Sequence, residues 1–132
     1  MTRVLFACIH NAGRSQMAAA LFNQIADPGK ARALSAGTQP GAHVHPEVVQ
    51  AMAEIGVDLS RATPQRLTDA LAAEAQVLVT MGCGEACPLV PGLRRVDWRL
   101  DDPKGQPLET VRRIRDEIRA RVADLVRAER WL

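Results

Sequence analysis

Cys8-Ile-His-Asn-Ala-Gly-Arg14-Ser15 is the stretch of this chain whose residue types and spacing could do chemistry. The cysteine closes an apolar run, Val4-Leu5-Phe6-Ala7. Five residues later come an arginine and a serine, and then a segment with helical periodicity. A strand that delivers a thiol into a short loop opening a helix builds an anion cradle. Here the loop would offer the backbone N–H groups of His10, Asn11, Ala12, Gly13, Arg14 and Ser15, together with the positive end of the helix dipole. Arg14 adds a planar fork matched to a tetrahedral oxyanion. The same field favours the thiolate of Cys8, the nucleophilic form. A cysteine in such a cradle is a nucleophile aimed at the anion's central atom.

A cysteine at a strand end is often only a small buried hydrophobe, and Cys-x5-Arg is a loose pattern. Position decides: a strand before, a helix after, Gly13 where the loop must turn tightly, and Ser15 able to donate to a thiolate. Two further cysteines, Cys83 and Cys87, lie four apart in Gly82-Cys83-Gly84-Glu85-Ala86-Cys87-Pro88. A structural zinc site needs four Cys/His ligands in paired short spacings. His10, His43 and His45 supply no second pair, so no metal is expected, and nothing in the chain calls for a cofactor. Simple packing of the two cysteines fits poorly with a loop of Gly, Glu and Pro. Thiol–disulfide exchange, in which a thiolate reaches a disulfide or thiol adduct, is the third option.

The elements that must position these groups alternate along the chain. Residues 3–8 read as a buried strand. From 15 to 26, Met17, Leu21, Phe22 and Ile25 share one helical face, and Asp27-Pro28-Gly29 stops the helix. A strand is expected at 31–36. A helix opens at His45-Pro46-Glu47, with Val48, Met52 and Ile55 as its stripe and Gly56 as C-cap. Thr63-Pro64 predicts a further helix reaching Ala73. Val77-Leu78-Val79-Thr80-Met81 is a continuous apolar strand of the kind buried on both faces of a parallel sheet. A strand at 93–98 and a long helix over 107–130 close the chain. The stripe of that helix is Val111, Ile114, Ile118, Val122 and Leu125. Arg112, Arg113, Arg115, Arg119 and Arg121 read as its solvated face, paired with Asp116, Glu117 and Asp124. Strands alternating with helices imply a three-layer α/β sandwich around a parallel sheet.

Residues 1–132 fit one domain. A net charge of +2, from 17 basic and 15 acidic residues, gives no reason to expect nucleic acid. No apolar run reaches membrane-spanning length, and the amino terminus enters a strand directly, without signal-peptide architecture. The expectation is a soluble cytoplasmic protein with free thiols. If the first and third strands are neighbours, their C-terminal ends open on one sheet edge, and Cys83 hangs beside Cys8. Asp102, in Asp101-Asp102-Pro103, is the candidate acid that protonates a leaving oxygen. It is preferred to Asp101 because Pro103 stiffens the backbone that presents it.

These residues resemble the arsenate reductases built on the low-molecular-weight protein tyrosine phosphatase fold, especially the thioredoxin-coupled class. The resemblance runs through the Cys8–Arg14 loop with Ser15-Gln16-Met17-Ala18, Ser35-Ala36-Gly37, the strand at 77–81 with its two-cysteine loop, Trp98, Asp101-Asp102-Pro103, and Ile114-Arg115-Asp116-Glu117-Ile118. It implies a four-stranded parallel sheet in the order 2-1-3-4. It also implies a relay in which Cys8 attacks arsenate, with phosphate or sulfate as analogues, and Asp102 serves as acid. Cys83 then attacks Cys8 and releases arsenite, Cys87 attacks Cys83, and thioredoxin reduces the final disulfide. Asn11 and Ser15 match the family's loop-ordering positions. The Cys83–Cys87 gap is shorter than in the best-known thioredoxin-coupled members. The Gly-Cys-Gly-x-Ala-Cys-Pro loop also resembles members that use mycothiol and a mycoredoxin, where Cys8 alone would do the protein's thiol work. A phosphotyrosine phosphatase is the reading from another class. Its aromatic-walled pocket is poorly served by a chain with no tyrosine, two phenylalanines and two tryptophans. A non-enzymatic anion-binding or metalloid-sensing role sits poorly with Cys8, Arg14 and Asp102 together.

Overall fold

A computed structural model describes residues 1–82 and 92–132. Strand β1 (Thr2–Cys8) is central because its residues from Val4 onward are buried on both faces, the pattern a parallel strand covered on two sides requires. It pairs in parallel with β2 (Ala31–Gly37) on one side and β3 (Val77–Thr80) on the other. Strand β4 (Arg94–Asp97) adds to β3, giving the expected order β2-β1-β3-β4. The register matches Cys8 with Gly37 and Ala7 with Thr80, so three strands end at one edge.

Alternate residues of β1 serve different layers. Val4, Phe6 and Cys8 join the core formed with α1 (Arg14–Ile25), α2 (Pro46–Ala53) and α4 (Leu108–Ala128). Leu5 and Ala7 face a thinner layer with Leu78, Leu71 and Ala72, the last two from the short helix α3 (Asp69–Ala73). Phe6 meets Phe22 of α1 edge-on at 5.9 Å and Trp98 at 5.8 Å. Burial of one such ring is worth about 2–3 kcal/mol, so these contacts fix α1, and the loop before it, against the sheet.

The expected stripes of α1, α2 and α4 are buried at Met17, Leu21, Phe22, Val48, Met52, Val111, Ile114, Ile118 and Val122; on α4, Val126 is fully buried where Leu125 is only partly so. Two expectations are corrected. Residues 64–67 do not continue Thr63-Pro64 into a helix, which begins only at Asp69 with the Thr68 hydroxyl accepting from the Leu71 N–H at 3.1 Å. The Gly37 N–H instead donates to Gln65 (2.9 Å) and the Leu67 N–H to Gly37 (2.8 Å), so pairing with the end of β2 overrides the local start signal. Arg115 is not on the solvated face. It is buried, and donates to the Ala51 carbonyl at 2.8 Å and to Glu54 and Asp116 at 2.9 Å. The last carbonyls of α2 need donors, and an arginine can supply them while keeping its charge paired. Glu54 also takes Arg112 through two oxygens, and that bond holds its carboxyl below the usual range. Arg121–Glu117 and Arg127–Asp124 pair along the exposed side. No helix among the described residues is long and apolar enough to cross a membrane.

Candidate active site

The loop between β1 and α1 turns its carbonyls outward. The Cys8 carbonyl accepts from Thr38 (3.2 Å), Ile9 from Gln39 (2.7 Å), His10 from Gly41 (2.9 Å) and Ala12 from His45 (2.9 Å). The Asn11 carbonyl accepts from the Gln16 side-chain amide at 3.2 Å. In a trans peptide the following N–H points opposite to the carbonyl. The N–H groups of His10, Asn11, Ala12 and Gly13 are therefore directed to the other side of the loop. Among the described residues these four, and those of Arg14 and Ser15 in the first turn of α1, donate to no protein acceptor. The result is a run of backbone donors without protein acceptors leading into a helix start, an arrangement that can receive an anion. Gly37 permits the approach: a Cβ there would stand 2.6 Å from the Ile9 carbonyl oxygen and 2.8 Å from the Asn11 nitrogen.

Asn11 holds the loop's tightest turn. Its φ of 50° is left-handed, a conformation asparagine tolerates far better than most residues. Its side chain is fully buried and uses both ends. Oδ1 accepts from the Gln65 N–H at 2.9 Å and the Gln16 amide at 3.1 Å, and Nδ2 donates to Ser15 Oγ at 2.7 Å. Ser15 Oγ in turn lies 2.8 Å from Cys8 Sγ. Because the serine oxygen already accepts from Asn11, its hydroxyl proton is free to donate to a Cys8 thiolate. Cys8 is 2% exposed, at the floor of the loop.

Arg14 crosses from α1 to the segment after β4. Its Nη1 donates to the Leu100 carbonyl at 3.2 Å and its Nη2 lies 3.6 Å from Asp102 Oδ2. Gly82 makes room at the end of β3: its φ is 108°, and a Cβ would fall 2.5 Å from Arg14 Nη1. Asp102 is half-exposed beside Arg14 and accepts from the Lys104 N–H at 3.0 Å, whereas Asp101 is turned away to Arg113 at 3.4 Å. Pro103 is buried against Gly13, where a Cβ would come 2.8 Å from its Cγ. Gly13 is thus required by the close approach of the segment carrying Asp102.

The His10 ring lies against the Gln39 carbonyl at 3.0 Å, so this residue offers the loop its N–H and not its side chain. Cys83 and Cys87 fall outside the described residues. Residue patterning alone did not single out Gln16, Gln65, Gly37 or Gly82 as supports of this site. For the two glycines, the available signal was a small residue at the C-terminal end of each strand flanking β1. A cavity of about 560 Å³ opens beside Gly82, and its described lining is Thr80, Gly82, Arg95, Asp97, Trp98 and Arg99. Hydrogen bonds from Thr80 and then Arg95 hold the Asp97 carboxyl below its ordinary range. The other three aromatic residues pack into the core or onto it: Phe6 and Phe22 are fully buried, and Trp131 stacks edge-on against Phe22. Among the described residues no group of three His, Cys, Asp or Glu is placed to hold a metal ion.

The family model described as low molecular weight phosphotyrosine protein phosphatase matches residues 3–130. A protein of Halobacterium salinarum named for arsenate reduction is 41% identical over 128 residues, covering 94% of this chain and 90% of its own length. A Synechocystis glutaredoxin arsenate reductase is 34% identical over 129 residues, covering 96% and 97%. The structure of a thioredoxin-dependent arsenate reductase of Corynebacterium glutamicum superposes with a TM-score of 0.84 at 38% identity. That match covers 97% of this chain but only 61% of the other, so this chain spans about three-fifths of its length.

Proposed function

We propose that this chain, which belongs to the low molecular weight phosphotyrosine protein phosphatase family, reduces arsenate to arsenite in the cytoplasm. One observation carries the proposal: a buried cysteine, its Sγ 2.8 Å from a serine hydroxyl that accepts from Asn11, opens a loop whose N–H groups from His10 to Ser15 find no acceptor among the described residues. That arrangement suits attack by Cys8 on a tetrahedral oxyanion held by the loop and Arg14. Arsenate is favoured over an aryl phosphate by the full-length similarity to proteins named as arsenate reductases. The aromatic residues point the same way: all four pack in or onto the core, and among the described residues only Trp98 also lines the cavity beside Gly82.

The Cys8 thiolate displaces one arsenate oxygen, which leaves as water after protonation by Asp102, and a sulfur–arsenic(V) bond forms. Cys83, as a thiolate, then attacks Cys8 Sγ. The sulfur–arsenic bond breaks with its electron pair going to arsenic, arsenite departs, and Cys8 and Cys83 are joined. Cys87 attacks Cys83 and frees Cys8. The Cys83–Cys87 disulfide is reduced by a thioredoxin dithiol, as the name of the Corynebacterium protein suggests. The second reading keeps Cys8 and Asp102 in these roles but replaces Cys83 by mycothiol, with a mycoredoxin completing the cycle.

The test is arsenate-dependent NADPH oxidation with thioredoxin and its reductase, run beside mycothiol with mycoredoxin and an aryl-phosphate control. Cys87→Ser should release one arsenite and stop with Cys8 and Cys83 joined, whereas Cys83→Ser should stop earlier, without that bridge. Non-reduced peptide mapping after one turnover distinguishes them. Normal turnover of both variants with the mycothiol system, and of neither with thioredoxin, would overturn the relay. Aryl-phosphate hydrolysis without arsenate reduction would overturn the reductase assignment itself.

A further inference from the structure

His45 plays no part in the chemistry above, yet it is built into the anion loop. Its N–H donates to the Ala12 carbonyl at 2.9 Å, helping to turn that peptide outward. Its ring Cδ2 lies 3.6 Å from the point where a Cβ on Gly13 would stand, and Pro103 Cγ is 2.8 Å from the same point. The imidazole and the proline that follows Asp102 therefore both pack against Gly13. His45 is also the N-cap of α2 without using its side chain as a cap, so the ring is not committed to that helix.

We propose that His45 is a proton-switched tuning residue of the oxyanion cradle, whose imidazolium strengthens anion binding in the loop. The proposal rests on the loop being an oxyanion site, as the proposed function requires. A cation at this position adds to Arg14, to the six N–H groups and to the start of α1, and Coulomb attraction to a dianion over several ångströms is substantial even in a partly wet site. The charged groups around the ring come from every neighbouring element: Glu47 on α2, Asp102 and Lys104 after β4, and His10 on the loop. Burial is the largest influence and pushes the imidazole below its ordinary value, with Lys104 and His10 acting in the same direction and Glu47 and Asp102 opposing. His45 is therefore neutral at neutral pH and becomes cationic as the pH falls below its unperturbed range. The cradle gains affinity in acid.

Sulfate is the suitable probe, because it stays a dianion throughout the range in which histidine titrates. Sulfate affinity is measured by calorimetry on the full chain between about pH 5 and 7.5. In the wild type it should tighten toward acid by about three- to tenfold more than in His45→Asn. Asparagine is a good N-cap, so the variant should keep α2. His45→Lys should bind sulfate tightly across the whole range. By reciprocity, sulfate must raise the midpoint of the His45 ring resonance in a proton NMR titration. Identical pH dependence in wild type and His45→Asn, or a ring midpoint that sulfate leaves unmoved, overturns the proposal. Failure to bind sulfate at any pH overturns it together with the cradle. Intact coupling in a protein that does not turn over arsenate supports the proposal and rejects only the reaction.

Discussion

Asn11→Asp separates the loop's folding role from its chemical one. The two side chains have the same shape, and a carboxylate oxygen can still accept from the Gln65 N–H and the Gln16 amide, at 2.9 and 3.1 Å in the native loop. Aspartate also tolerates the left-handed backbone at φ 50°. The new carboxylate would be fully buried, though still accepting from these donors, so the loss of stability should be about 1–3 kcal/mol. What changes is the direction of one hydrogen bond. Nδ2 donates to Ser15 Oγ at 2.7 Å, but a carboxylate cannot donate, so the serine must turn its proton toward residue 11 and away from Cys8 Sγ. A hydrogen bond to a charged group is worth about 1.5–3 kcal/mol. A thiolate that loses one is less populated but intrinsically more nucleophilic, which returns about half of the effect. Alkylation of Cys8 by iodoacetamide at slightly acidic pH, followed by peptide mapping, should slow by about three- to tenfold. Asn11→Ala is the contrasting variant. It strands three partners and places a residue with a Cβ but no polar side chain at positive φ, which should cost about 3–5 kcal/mol and about 10–20 °C of melting temperature. If Asn11→Asp is folded under the assay conditions and Cys8 alkylates at an undiminished rate, the Asn11–Ser15–Cys8 polarity deduced from the loop is wrong.

Arg14→Lys should reduce kcat/KM at least about a hundredfold, because lysine keeps the charge but loses the planar fork that can grip two oxygens; steady-state arsenate kinetics would show it, and near-normal values would remove Arg14 from the cradle. Asp102→Asn should slow turnover by about 10²–10⁴-fold while leaving sulfate affinity nearly intact, and a loss of anion affinity instead would make Asp102 structural. Gly82→Ala should disable the site from a neighbouring strand, since its Cβ would fall 2.5 Å from Arg14 Nη1 on a backbone at φ 108°. A fall in activity beyond about tenfold, with about 1–3 kcal/mol lost in denaturant unfolding, is the expected result, and wild-type activity would show that Arg14 is not held by that contact.

Much of this fold was legible because its signals are local and redundant. Val4–Cys8 and Val77–Thr80 are apolar runs too short for helices and too continuous for a strand with one wet face. Their burial on both sides follows from that pattern. The helical stripes were legible for the same reason. Thr63-Pro64 misled because the end of β2 offered Gly37 as a backbone partner, and a long-range pairing outweighs a helix start signal spanning two residues. Arg115 misled because charge type alone does not reveal that α2 ends against α4 and needs a donor at the Ala51 carbonyl. Cys8, Arg14 and Ser15 could be picked out by spacing, and Asp102 by its proline. The supports could not. Gln65 and Gly82 act through contacts far in sequence from the groups they hold, and only the folded register brings them together; Gln16 is near Asn11 in sequence, but a polar residue in a first helical turn does not announce that its amide turns back to the loop.

The register also indicates where discrimination between the family's two chemistries must arise. Six N–H groups and a guanidinium respond to the charge and shape of a tetrahedral dianion, in which phosphate and arsenate agree. In the proposed reaction, attack by Cys8 would therefore be common to both. The paths divide at the covalent intermediate, where water must reach phosphorus for hydrolysis or a second thiol must reach the Cys8 sulfur for reduction. With Cys8 2% exposed at the end of β1, access to that sulfur is set by what neighbouring strands deliver to the same edge. Ala7 is matched with Thr80, so the chain leaving β3 at Gly82 starts beside Arg14 and one residue before Cys83. A parallel pair fixes both C-terminal ends on one edge whatever loops follow. In the proposed relay, a thiol that follows β3 in sequence would reach the nucleophile from this edge without altering a residue of the cradle.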